Sequence, residues 1–230
     1  MVLASLGGAL AGLVGHLQRK RGASTGRYTV AVLLLPFLMA PLESQVAASR
    51  QLREVDTAID IEAPPAVVWQ HIIRVRAFQP EEHRPALSHL IGFPRPVEAT
   101  LSHEGVGGVR HASFERGVVF VETVTTWVPE RELAFSIRAD PSTIPPTALD
   151  AHVTVGGPYF DVLDGRYRIE PLGARRVRLH LSSTHRLSTH FNPYSGAWTD
   201  FVMRDVQRYI LAILKDRCER EAGSGASAAG

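Results

Sequence analysis

The sequence predicts an α+β domain, an antiparallel sheet backed by one long C-terminal helix, preceded by one or two transmembrane helices. Three observations predict it. Apolar residues alternate with polar ones in a series of short segments between Val55 and Ser183, a single apolar stripe of helical period follows Asn192, and two uncharged apolar segments precede residue 48. Hydrophobic residues make up 45% of the chain and charged residues 21%, so a packed core is available.

The N-terminal segments come first. Residues 2–17 and 28–42 carry no formal charge, and the loop of residues 18–27 between them holds Arg19, Lys20, Arg21 and Arg27. Each segment is shorter than the ~20 residues of a full helical span. Both can span as a hairpin, or only the second spans as a signal anchor. In either case the positive-inside rule keeps the basic loop in the cytoplasm and places the domain outside it, although Arg50 and Arg53 oppose the asymmetry. A cleaved signal peptide, cut near Val46 and Ala48, is a third reading. Ala4, Gly8 and Gly12 recur at steps of four. They line one helix face on which a partner helix can approach closely, and the glycine bias of membrane helices produces the same spacing. Pro36 and Pro41 kink or end the second segment. The expected organisation is an anchor over 1–48, a linker over 49–54, the domain over 55–221 and a disordered small-residue tail over 222–230.

Charge supports this division. Arg19, Lys20, Arg21, Arg27, Arg50 and Arg53 precede Val55, against only Glu43 and Glu54, so the remainder holds nineteen basic and twenty-one acidic residues. The pI near 8.9 therefore owes much to the anchor. No basic stripe marks a nucleic-acid face. Cys218 is the single cysteine, which excludes an intrachain disulfide and a cysteine-based zinc site.

Within the domain, Val55, Thr57, Ile59 and Ile61 form a half-buried strand, stopped by Ala63-Pro64-Pro65. Val68, Trp69, Ile72 and Ile73 follow at helical spacing, and residues 79–90 read as one or two short helices. Strands are expected over 97–103, 109–115, 118–127, 133–138, 159–171 and 177–183, with Gly105-Val106-Gly107-Gly108 as a tight connection. Residues 140–158 form a long Pro/Gly-rich connection of the kind that often serves as a binding loop. Asn192 caps the last helix and Pro193 opens it, while Lys215, Arg217 and Arg220 suit its C-terminal end.

The stretch Ala58-Ile59-Asp60-Ile61-Glu62-Ala63-Pro64-Pro65-Ala66-Val67-Val68-Trp69 resembles the opening of the START-like, Bet v 1-like superfamily. This SRPBCC-type group includes polyketide cyclase/dehydrase and lipid transport proteins. Gly105 to Arg110 and Glu122 to Phe135 are similar to the same group, and the resemblance covers roughly residues 55–221. It implies a helix-grip fold: a curved antiparallel sheet wrapped around the C-terminal helix, with an apolar cavity between them. Members bind lipids, sterols, polyketides, hormones or cyclic intermediates, and a minority catalyse. Fold alone does not choose among these, and no catalytic motif is carried over.

Candidate ligand contacts follow. Trp198, Phe201, Val202 and Tyr209 lie on the helix face expected to meet the sheet, as cavity wall or as plain core. Trp69 and Trp127 are further apolar wall. Glu122 shares its strand face with Val118, Phe120 and Val124. If inward, it is a ligand anchor or, if any residue is catalytic, the acid/base. His185, near Tyr194, is a polar contact at the cavity mouth. His180, His185 and His190 are spaced by five, so His185 faces away from the other two along a strand. His103 and His111 flank the glycine turn. No metal site and no cofactor are expected. The expected function is membrane-tethered binding of a hydrophobic small molecule or lipid. The alternatives are a cyclase- or isomerase-like enzyme using Glu122, and an envelope interaction module whose Ala4–Gly8–Gly12 face binds a membrane partner.

Overall fold

The computed structural model describes residues 50–139, 155–188 and 192–228, without the side chains of 192–194 and 225–228. These residues belong to one of the two units into which the chain divides, Ser49–Gly230. The expected anchor segments, the basic loop and Ala4, Gly8 and Gly12 lie outside the described residues. Among the described residues no helix is long and apolar enough to cross a membrane.

The alternating segments become β1 (Gln51–Ile61), β2 (Pro96–Leu101), β3 (Val109–Phe114), β4 (Val119–Val128), β5 (Glu132–Ala139), β6 (Phe160–Gly173) and β7 (Arg176–Leu187). They form one sheet in the order β1-β7-β6-β5-β4-β3-β2, with every neighbour antiparallel. Between β1 and β2 lie α1 (Pro65–Ile73), a 3-10 turn (Pro80–Glu82) and α2 (Leu87–Leu90), and α3 (Asn192–Ala228) closes the chain. Register shifts at Pro96/Glu98, Val124/Thr126, Val162/Asp164 and Pro171/Gly173 bend the sheet around α3. The result is a helix-grip-like half-barrel. The exposed edge of β2 is covered by the segment after α1, where the backbone N–H of Val75 and that of Ala99 each donate to the other's carbonyl.

Two boundaries differ from expectation. β7 continues past Ser183 because Ser183, His185 and Leu187 stay buried, and β1 pairs with it from Gln51 onward, so most of the expected linker is strand. Helix α3 runs past Glu221 to Ala228. Extending an existing helix adds one hydrogen bond per residue without a new nucleation cost.

The core has two clusters. One gathers Trp69, Ile72, Ile73, Leu133, Leu179, Leu211 and Leu214 under α1. The other gathers Val55, Val118, Phe160, Leu187 and Met203 near the start of α3. Arg217 fastens the α1–β2 connection onto α3. It donates to both oxygens of Glu82 at 2.7 and 2.6 Å and to the carbonyls of Arg76 and Ala77, and it lies 4.7 Å from the Phe78 ring centre.

Candidate ligand cavity

Residues of both core clusters line a cavity of about 160 Å³ between the sheet and α3. Period-two alternation supplies its sheet wall: Arg110 and Ala112 from β3, Phe120 and Glu122 from β4, Phe135 and Ile137 from β5, Phe160, Val162, Gly165 and Tyr167 from β6, Leu181 and Ser183 from β7. Met203, Val206, Gln207 and Ile210 close it from α3, at the i, i+3, i+4, i+7 spacing of one helix face. Phe78, Phe93 and Pro94 from the α1–β2 connection complete the rim. An apolar cavity of about 150 Å³ stays dry and takes up benzene, so this space suits one ring or a chain of similar bulk.

Gly165 makes room for a neighbour. It pairs with Phe135 across β5 and β6, and a Cβ there would sit 2.6 Å from the Phe135 ring. That ring in turn lies 5.2 Å from the Arg110 guanidinium.

The polar feature of the wall is an ion pair. Arg110 and Glu122 are paired residues of β3 and β4, both buried, and the Arg110 guanidinium donates to Glu122 Oε2. Burial pushes the Glu122 carboxyl above its ordinary pKa, and the Arg110 charge pulls it back part of the way. The guanidinium itself stays protonated: burial opposes its charge, but Glu122 and the neighbouring Tyr167 phenol outweigh that and raise its pKa. Burial also raises the Tyr167 pKa, so the phenol keeps its proton at neutral pH. Arg110 Nε has no hydrogen-bond partner among the described residues. Gln207 is satisfied, accepting from Thr57 Oγ1 at 2.7 Å and donating to the Val55 carbonyl and Ser183 Oγ.

Of the residues singled out from sequence, Glu122 lies in this wall and seven others do not. Trp69 and Trp127 meet edge to face at 5.0 Å and seal α1 onto the sheet away from the cavity. Trp198 and Phe201 are 49% and 43% exposed, which corrects their expected place as cavity wall. The physical reason is the rotation of α3. Arg53 chelates Asp200 at 2.8 and 2.6 Å and packs on Gly196, where a Cβ would approach its guanidinium to 2.8 Å. This turns the face of Gly196, Asp200, Met203 and Gln207 inward and the 198/201 side out. Val202 and Tyr209 are buried outside this lining, and Tyr209 falls toward α2. The Tyr209 hydroxyl is hydrogen-bonded to His83 Nδ1 at 2.5 Å, and its ring meets His89 edge to face at 4.5 Å.

His185 is also absent from the cavity lining. It is completely buried, 5.6 Å from the Phe160 ring and 3.6 Å from Asp200 Oδ1. Burial lowers its pKa, with Asp200 opposing and Arg53 adding to the shift, so the imidazole is neutral at pH 7. The side chain of Tyr194, the expected neighbour of His185, lies outside those described, and so does His190. Among the described residues no three metal-ligating side chains converge. Arg110, Tyr167, Met203 and Gln207 were not singled out. The signal for Arg110 is its parity with Ala112 and Phe114 on a strand directly before that of Glu122.

No protein-family model matches this sequence, and no curated protein matches it. Among solved structures, the chain is similar to the ZhuI aromatase/cyclase from Streptomyces sp. R1128, at 20% identity over 78% of this chain and 99% of that one, with a TM-score of 0.44. It is similar to a START superfamily protein from Mycobacterium smegmatis at 12% identity, over 73% of this chain and 97% of that one, with a TM-score of 0.47. A third is norcoclaurine synthase from Thalictrum flavum in complex with dopamine and hydroxybenzaldehyde, at 15% identity over 73% and 87% of the two chains, with a TM-score of 0.38.

Proposed function

We propose that the domain holds a small, largely apolar molecule with one polar group in the cavity between the sheet and α3, and that residues 2–17 and 28–42 tether it to a membrane with the domain outside the cytoplasm. The observation that carries the binding reading is the cavity itself. It encloses about 160 Å³ behind a wall that is apolar except for a few polar side chains, the Arg110–Glu122 pair chief among them. The apolar lining supplies affinity, and the buried pair orients the polar end of the ligand. Binding is preferred to acid/base catalysis because Glu122 is engaged by Arg110. Proton transfer through it would first have to break a buried ion pair.

The test is a thermal titration of the full chain in detergent with para-cresol, a ring of the right bulk with one polar group. Ligand bound only to the folded state raises Tm with concentration. The expected result is a rise for the wild type that is lost in Val206→Trp, which fills the space from the helix side. No rise, or an equal rise in both, contradicts the reading.

A further inference from the structure

Five large apolar side chains remain open to solvent along one seam of the domain. Leu87, Leu90 and Ile91 lie on and just after α2, and Trp198 and Phe201 lie near the start of α3. Leu90 is 82% exposed. Trp198 and Phe201 stack with ring centroids 5.7 Å apart and, with Leu87 and Ala197, wall a shallow groove. A contiguous patch of this kind on a domain with a packed core marks a contact surface.

Its charge selects the partner. Arg204 and Arg208 are exposed on α3, one and two turns beyond Phe201. The acidic side chains nearby are already engaged: Asp200 by Arg53, Asp205 by the Ser88 backbone N–H at 2.7 Å, and Asp216 by Arg84. Aromatic and branched apolar side chains edged by exposed arginines are the composition of a surface that lies in the interface of an anionic bilayer.

The course of the chain points the same way. β1 enters the domain beside this seam, since Arg53 reaches Gly196 and Asp200 in the turns of α3 that carry Trp198 and Phe201. From Leu42, the end of the second apolar segment, to Gln51 the chain can reach roughly 30 Å at full extension. The chain that follows that segment therefore enters the domain on the side of the seam.

We propose that the α2–α3 seam docks on an anionic bilayer surface, with Trp198 and Phe201 at headgroup depth and Arg204 and Arg208 on the lipid phosphates. This rests on the tethering read from residues 2–17 and 28–42. Phe93 and Pro94, which follow Ile91 in the chain, line the cavity rim, so the same connection carries one end of the seam and part of that rim.

The test uses the full chain reconstituted in phosphatidylcholine–phosphatidylserine vesicles with bromine on the acyl chains. Trp69 sits in the core cluster, Trp127 packs against it, and the two form the background, so quenching by bromolipid reports Trp198. The expected result is quenched emission whose quenched component disappears in Trp198→Phe and falls at least twofold in Leu90→Ser/Phe201→Ser, with circular dichroism unchanged. Quenching that is absent, or that is the same in Trp198→Phe, overturns the docking. So does a Trp198 untouched by bromolipid but shielded from iodide as protein concentration rises, which assigns the seam to a second copy. Flotation of the vesicles after alkaline carbonate separates the two readings. A chain that floats with unquenched Trp198 keeps its tether and loses the docking face, and a chain that does not float loses both.

Discussion

Arg110 and Glu122 face each other from adjacent strands, and neither reaches bulk water. Removing one partner of such a pair strands the other charge in the interior and costs about 3–5 kcal/mol, whereas replacing both with apolar groups is often near neutral. Glu122→Ala is therefore expected to destabilise the fold by about that amount in denaturant unfolding, and Arg110→Met/Glu122→Leu to recover most of it. A double variant as unstable as the single one would mean that the pair does not hold the interior together as described. The inward direction of Glu122 is legible in the sequence through the parity of Val118, Phe120 and Val124. The identity of its partner is not, because it depends on the register between β3 and β4, and a slip of one residue would bring a different side chain opposite Glu122.

Among the elements, the strands read well and the last helix less so. Alternation along β1 and β4 marks which side is buried, because strand side chains have only two sides to choose from. Helix α3 has several apolar sectors: Tyr209 toward α2, Met203, Val206 and Ile210 toward the cavity, and Trp198 and Phe201 toward solvent. The pattern of apolar residues alone does not rank these sectors. The rotation is set by Arg53 reaching across from β1, a contact between residues 147 apart in sequence.

A second long-range contact, Arg217 with Glu82, joins α3 to the α1–β2 connection, and it gives a pH signature. Arg217 holds the Glu82 carboxyl down from its ordinary 4.5 to about 2. A carboxyl with a depressed folded-state pKa stabilises the fold above its unfolded pKa and loses that contribution as pH falls through the folded value. Glu82→Gln is expected to cost about 1–2 kcal/mol at pH 7, and its difference from wild type should shrink as pH falls from 4.5 toward about 2. Urea unfolding of both proteins across that range checks it. A difference that does not vary with pH would remove the ion pair from the account.

At the scale of the whole molecule, the strand–helices–strands–helix order and the meander are visible in the sequence, and the cavity is not. Its volume depends on how far four bulges bend the sheet and on Gly165 leaving space for the Phe135 ring. The cavity lies where the two core clusters meet, so the space is bounded by residues that each cluster needs for its own packing. On our reading, that space is kept open for a ligand. The most direct measurement of the central claim is native mass spectrometry of the full chain released from detergent, with extraction and identification of whatever remains bound. The account predicts one small, largely apolar molecule per chain in the wild type and none in Val206→Trp. A wild-type chain of apo mass that takes up nothing from a mixture of small aromatic and aliphatic compounds would contradict it.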